Sequence, residues 1–334
     1  IHMFIRIGYI AILGYHKKFK GDSLNNMKRK IWIDGEFVDW DNANVHILSH
    51  SHQRGSLIFG FIPIFENEDG TCIFRLDDHI ERLFKSCNLA GIPLDYSSDD
   101  LKKSIIETVR INTGSKFIKI SVYISSVEID VVPQEPFTKV AIASYDPVKD
   151  IIERNSQPFH VSKELSVWIE KEKKQRRSDI ISPQIKIAAN YTTSMMAKWK
   201  ARKDGFDEIF FFNNDGNLTE APTSNVFIVN TDNELCTAPE EYVLHGITRK
   251  SIIEIAREDG IIVNLENIKI QDVKNASEAF ITSSSHLICP VTKIDNEKLG
   301  NGNVGNITSL LIEKFKKIIE RKDNRFNHWF TVVE

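Results

Sequence analysis

SPQIKIAANYTTSMM, Ser182 to Met196, sets one lysine among residues that hardly suit it. Lys186 lies between Ile185 and Ile187, small residues follow, and Tyr191 stands five positions on. Read alone, such a lysine snorkels its ammonium to the surface. The chain after it is helical from about Ala189 to Lys203, with Gly205 as the stop. Beyond lie strands EIFFFNN and NLTE around Asp215-Gly216, then SNVFIVN and ELCTA around a second polar turn. GITRKSIIEIAREDG is a helix, EAFITSS a strand and NITSLLIEKFKKIIERK a last helix. The lysine therefore belongs to an α+β unit whose sheet is built from neighbouring hairpins.

Upstream, a second α+β unit ends near Tyr145. KIWIDGEFVDW is a hairpin about Asp34-Gly35, and Val45 to Leu48 reads as a further extended segment. GTCIFRL is a strand. In DDHIERLFKSCNLAG, Ile80, Leu83, Phe84 and Cys87 share one helical face, with Asp77 as cap and Gly91 as stop. Leu101, Ile105 and Val109 mark a second helix, and KFIKISVYIS and TKVAIAS are strands. Residues 146–160 lack periodicity and read as a connector. EKEKKQRRSD, Glu170 to Asp179, reads as a solvated charge run.

The 334 residues are 41% apolar and 27% charged, enough for two domains with real cores. A net charge of −3 recruits neither nucleic acid nor an anionic membrane. Cys72, Cys87, Cys236 and Cys289 form no C-x-x-C pair, which points to a reducing, cytoplasmic setting without zinc knuckle or disulfide framework. Phe4 to Tyr15 is apolar but short and broken by Arg6, and no small-residue cleavage site follows. Residues 1–26 thus read as a poorly ordered extension ahead of a start at Met27.

Four places in the second unit could carry chemistry: Lys186, Glu220, the LHGITRK helix start and the serine-rich end of FITSSSH. Each has a plain explanation too. Glu220 could close its hairpin. Gly246, Ile247 and Thr248 could be an ordinary helix start, although such a start also offers N–H groups to an anion. Ser284, Ser285 and His286 invite a serine hydrolase reading, but there is no G-x-S-x-G elbow. His50 and His52 alternate as if on one strand face, and two histidines alone are a weak case for zinc.

Taken in order, KIAANY, LTEAPTSNVF, GITRKSII and FITSSS resemble the large domain of the class IV (fold type IV) pyridoxal-phosphate aminotransferases. That family includes branched-chain, D-amino acid and (R)-amine transaminases and aminodeoxychorismate lyase. KIWIDGEFVDWDNANVHILSHSHQRG is similar to its opening, FRLDDHIERL to its arginine-bearing segment, and NHWFTVV to the closing W-[LF]-T of branched-chain enzymes. The likeness spans about residues 29–334. It implies a small α+β domain (27–147), a connector (148–160) and a large cofactor-binding domain (161–334). It also implies a homodimer acting on small amino and keto acids.

By resemblance, Lys186 would bond the cofactor aldehyde and afterwards shuttle the substrate proton. Glu220 would pair with the pyridine nitrogen and Tyr191 with the ring hydroxyl. Arg75, Gly246, Ile247, Thr248 and Ser284 would hold the phosphate. Ser285 and His286 would offer amides to the substrate carboxylate.

The substrate side departs from the branched-chain pattern. Arg54-Gly55 replaces tyrosine-glycine, FGFIPIF replaces F-E-G-[IV]-[RK], and Phe117-Ile118-Lys119 replaces Y-[IV]-R. Arg54 with Pro63 is closer to (R)-amine transaminases, whose carboxylate-binding arginine is absent from SSVEIDVVPQEP. Lys119 resembles the lysine of the lyases, and the R-x-H pair of D-amino acid enzymes is missing. Phe59, Phe61 and Phe117 make the substrate side hydrophobic, with Arg54 and Lys119 as candidates for a carboxylate. The expected reaction is ping-pong transfer from a hydrophobic, branched-chain amino acid to 2-oxoglutarate or pyruvate. An (R)-amine or D-amino acid donor is the alternative, and a lyase comes third.

Overall fold

The computed structural model describes residues 29–154, 162, 164–174 and 177–334. The expected extension, 1–26, lies outside them, as does the end of the connector. The described chain forms two compact units. One holds 29–154 with Ile187–Ala189 and Asn324–Glu334, and the other holds the described residues up to Lys186 together with Asn190–Asp323.

In the first unit come β1 (Lys30–Ile33), β2 (Glu36–Asp39), α1 (His50–Arg54), β3 (Leu57–Asn67) and β4 (Gly70–Phe74). Next are α2 (Leu76–Ala90), α3 (Ser98–Ile111), β5 (Phe117–Ile124) and β6 (Thr138–Tyr145). The second unit contributes β7 (Leu165–Glu170), α4 (Tyr191–Lys203), β8 (Glu208–Phe211), β9 (Asn225–Val229), β10 (Leu235–Thr237) and α5 (Ile247–Glu258). It continues with β11 (Val263–Leu265), α6 (Ile270–Asn275), β12 (Glu278–Ser283), β13 (Leu287–Ile294), β14 (Glu297–Lys298) and α7 (Asn306–Ile319). The last strand, β15 (Phe330–Val332), returns to the first unit.

The first unit's sheet runs β15-β4-β3-β5-β6-β1-β2, antiparallel throughout. Its hairpin β1–β2 turns at Asp34 and Gly35, both at positive φ. Helices α2 and α3 bury most of the expected stripes, Ile80, Leu83 and Cys87 on one, where Phe84 is only half-buried, and Leu101, Ile105 and Val109 on the other. Asp77 is not the cap: Arg75 occupies that position and Asp77 lies in the first turn, where a carboxylate favours the helix dipole.

The other sheet runs β11-β10-β9-β12-β13-β7-β8, with β14 on β13. Its centre is hairpin-built as expected, but β10–β11, β13–β7 and β7–β8 are parallel. These pairings join distant segments and leave no mark on local periodicity. NLTE makes only isolated bridges, Phe212↔Leu218 and Glu220↔Asn225 among them, where a strand was expected.

Several expectations change. Val45 to Leu48 is not a strand: Val45, Ile47 and Leu48 are exposed, and Leu48 N–H donates to His46 Nδ1 in a turn. His50 and His52 sit on α1 rather than a strand, with His50 buried and His52 exposed. Two positions apart on a helix, they point away from each other. Among the described residues no group of three or more His, Cys, Asp or Glu could hold a metal.

The connector's start is also structured. Pro147–Glu153 is a helical turn capped by Asp146, and Asp150 at its centre takes a 2.8 Å bond from buried Arg29. The C-terminal residues, expected in the large domain, instead add β15 to the edge of β4, Phe330 opposite Phe74. All four cysteines are buried, and burial lifts Cys87 and Cys236 to about 12, far from thiolate reactivity. No helix among the described residues is long and apolar enough to cross a membrane.

Candidate active site

Lys186 follows a turn in which Ile185 N–H bonds Ser182 O, and Ile185 is buried. Its own side chain is half-buried and donates from Nζ to Tyr191 Oη at 3.0 Å. Tyr191 is the first residue of α4, so the five-residue spacing spans one short helical turn, Ala188–Asn190, and brings amine and phenol together. Helix α4 buries only small residues, Ser194, Ala197 and Ala201. The alanines pack on Phe206, Ile209 and Phe211, and Lys198 pairs with buried Glu208.

Glu220 is 2% exposed and ends the broken hairpin. Its Oε2 accepts from Asn225 Nδ2 at 3.3 Å and from Leu244 N–H at 3.1 Å, which fixes the carboxylate's direction. Asn225 Nδ2 also donates to Leu244 O at 3.0 Å. One asparagine thus joins the carboxylate to the segment entering α5. Sequence reasoning missed it, although a polar residue at the mouth of the apolar strand NVFIV was the available signal. A Cβ on Gly246 would lie 2.0 Å from Asn225 Oδ1, so the segment approaches this closely only because residue 246 is glycine.

Gly246 is the cap residue of α5 and supplies no side-chain acceptor to the first turn. The N–H groups of Ile247 and Thr248 therefore begin a twelve-residue helix whose dipole favours an anion, and Thr248 is buried. At the end of β12, Ser283 Oγ lies 3.0 Å from Ser285 Oγ and accepts from His286 N–H at 3.2 Å. The His286 amide, expected to serve a substrate carboxylate, is engaged by Ser283. Burial and the Lys198 ammonium pull the His286 imidazole down to about 4, so it is neutral at pH 7. Ser224 Oγ and Thr282 Oγ1 are buried hydroxyls with no partner among the described residues.

In the other unit, the register Phe59↔Ser121, Phe61↔Lys119 and Pro63↔Phe117 puts Phe59, Phe61, Phe117 and Lys119 on one face. Lys119 is exposed, and its Nζ lies 5.4 Å from the Phe59 ring centre. Phe61 stacks on Phe117 at 4.6 Å. Phe117 is 1% exposed, so it backs Phe61 rather than presenting a surface of its own. At Gly60 a Cβ would stand 2.8 Å from Ile120 Cγ2, which leaves no room for the glutamate of the branched-chain pattern. Arg54 is exposed at the end of α1, with Nη2 3.4 Å from Ile129 O. Arg75, 6% exposed, closes β4 in a left-handed conformation, and its Nε donates to Asp78 Oδ2 at 2.6 Å.

The donor set of the larger unit fits pyridoxal phosphate: a half-buried amine beside a phenol, an oriented buried carboxylate, and a helix start without a side-chain cap. The family described as Amino-transferase class IV matches residues 64–294, and the chain belongs to it. It is a pyridoxal-phosphate-dependent transaminase of fold type IV.

The relatives narrow the comparison. The chain is 28% identical over 312 residues to the branched-chain-amino-acid aminotransferase of Pseudomonas aeruginosa, covering 91% of this chain and 97% of that one. It is 31% identical over 294 residues to the putative branched-chain-amino-acid aminotransferase of Methanocaldococcus jannaschii, covering 86% and 96%. Among solved structures, the Thermoproteus uzoniensis branched-chain aminotransferase with norvaline matches with a TM-score of 0.83 at 31% identity, over 92% of this chain and all of that one. The Escherichia coli branched-chain enzyme matches with a TM-score of 0.84 at 26% identity, over 92% and 99%.

Proposed function

We propose that this transaminase takes the amino group from a hydrophobic, branched-chain L-amino acid and passes it to a keto acid by a ping-pong mechanism. The observation that carries this reading is the face of Phe59, Phe61 and Lys119: an apolar wall with one ammonium over an aromatic ring. Such a wall accepts a branched side chain by burial. The ammonium answers the carboxylate of the keto-acid acceptor, with Arg54 as a second cation for the same task. The names of the relatives support the choice of donor over a D-amino acid or an (R)-amine.

Bound pyridoxal phosphate supplies an electron sink for the charge left at the substrate Cα and carries the amino group between the two half-reactions. The remaining work falls to this chain's residues. Lys186 Nζ is the proposed covalent anchor and, once released, takes the proton from Cα. Tyr191 Oη, already accepting from that nitrogen, steadies it and meets the ring hydroxyl. Glu220, aimed by Asn225 and Leu244 N–H, is the proposed partner of the ring nitrogen. Ile247 and Thr248 N–H, Ser284 and Arg75 are proposed for the phosphate, where arginine's planar fork suits the oxygens.

Two features support a homodimer. Met195, Met196 and Trp199 on α4 are exposed, and so are Val127, Ile129, Val131 and Val132 in the loop before β6. Apolar clusters of this kind mark association surfaces. A cytoplasmic location agrees with four buried cysteines.

The test is a panel of single half-reactions with L-leucine, D-alanine and both enantiomers of 1-phenylethylamine, followed by absorbance. L-leucine is expected to bleach the yellow protein fastest, and 2-oxoglutarate to restore the colour. Faster bleaching by D-alanine or (R)-1-phenylethylamine would overturn the choice of donor.

A further inference from the structure

Arg75 holds a conformation that an arginine does not adopt without support. Its φ of 49° and ψ of 46° are left-handed, a region disfavoured for any residue with a Cβ, and it is buried. The support comes from the other end of the chain. Arg75 N–H donates to Trp329 O at 2.6 Å, and the guanidinium carbon lies 4.5 Å from the Trp329 ring centre. Strand β15, which begins at Phe330, pairs with β4 directly before Arg75. Trp329 itself is 3% exposed and wedged against Phe74 at 5.7 Å and Phe326 at 4.5 Å.

The indole nitrogen of Trp329 is buried and has no hydrogen-bond partner among the described residues. Buried indoles usually find one, since an unmade bond is costly. The residue is therefore placed for its ring and its backbone carbonyl, and both act on Arg75. A guanidinium over an aromatic face keeps its donors in its own plane, the arrangement that grips a phosphate with two parallel bonds.

We infer that Trp329 is the positioning residue of the phosphate-binding arginine, so that the closing segment HWFTV sets cofactor affinity by orienting Arg75. This rests on the reading of Arg75 as a phosphate ligand. The W-F-T motif, which the catalytic assignment leaves without a role, acquires one: Trp329 fixes the guanidinium while Phe330 locks the strand to β4.

The experiment titrates the full-length chain, freed of cofactor, with pyridoxamine 5′-phosphate and with pyridoxamine. Neither carries an aldehyde, so neither bonds to Lys186, and the ratio of the two affinities isolates the phosphate. Wild-type protein is expected to prefer the phosphorylated ligand strongly. Trp329→Leu is expected to shrink that preference about tenfold, and Trp329→Phe by about threefold because a phenyl face holds a guanidinium more weakly. Arg75→Ala should shrink it at least as much as Trp329→Leu.

An unchanged ratio in Trp329→Leu beside a collapsed ratio in Arg75→Ala would overturn the inference and leave the reading of Arg75 standing. An unchanged ratio in Arg75→Ala would overturn that reading itself. Equal weakening of both ligands by Trp329→Leu would make the tryptophan merely structural and also overturn the inference. Should Trp329→Leu fail to fold, Trp329→Phe carries the test through the ³¹P chemical shift of bound pyridoxamine phosphate. A moved resonance is expected, and one identical to wild type would contradict the inference.

Discussion

Asn225 ties Glu220 to the entrance of α5, and its loss separates orientation from charge. Asn225→Ala removes a donor to a buried carboxylate oxygen, and an under-satisfied buried acceptor costs about 1–3 kcal/mol. We expect about a tenfold slower half-reaction with L-leucine in stopped-flow absorbance. Glu220→Gln, which removes the charge and keeps the shape, is expected to slow the same step about 100-fold or more. At this scale the residues proposed to hold the cofactor stood out in the sequence because each occupies a distinctive setting: a lysine between isoleucines, a glutamate in a run of small polar residues, a glycine before a helix. Asn225 left only a weak signal, a polar residue at the mouth of NVFIV, since its importance lies in partners 5 and 19 residues away. Phe117 was read as lining the substrate side, yet burial under Phe61 cannot be seen without knowing which faces meet.

Helix α5 and the β12–β13 turn carry the groups proposed to bind an anion, and each yields a test. Gly246→Ala drives a methyl group to 2.0 Å from Asn225 Oδ1, so either the asparagine or the helix start must move. The expected cost is about 2 kcal/mol in urea unfolding, with weakened cofactor retention on dialysis. His286 in the turn has a pKa lowered from 6.5 to about 4. The unfolded chain therefore takes up a proton below pH 6.5 that the folded chain refuses. Stability is full above 6.5 and falls as pH drops toward 4, by about 3 kcal/mol at most. His286→Phe should flatten that part of the curve of denaturation midpoint against pH. Helices with clean apolar stripes were legible, as α2 and α3 show, whereas α1 was misread because five residues are too few to display a helical period. Strand β7 went unread because both its pairings are parallel and long-range, and β13 went unread although it also closes a local antiparallel hairpin with β12.

At the scale of the whole molecule, two α+β units were legible from the succession of hairpins and helices, but the chain's final return to the first sheet was not. A three-residue strand is too short to announce its partner, and only the pairing of Phe330 with Phe74 reveals it. The exposed apolar side chains of α4 belong to the same scale. The double substitution Met195→Glu, Trp199→Glu is expected to convert the proposed dimer to a monomer in sedimentation velocity while leaving the far-ultraviolet dichroism unchanged. Lys186 is the proposed point of covalent attachment, and borohydride reduction of the yellow protein followed by peptide mass mapping tests it directly. A reduced pyridoxyl phosphate adduct is expected on the peptide carrying Lys186 and none in Lys186→Ala. An adduct on any other lysine, or one that survives in Lys186→Ala, would contradict it.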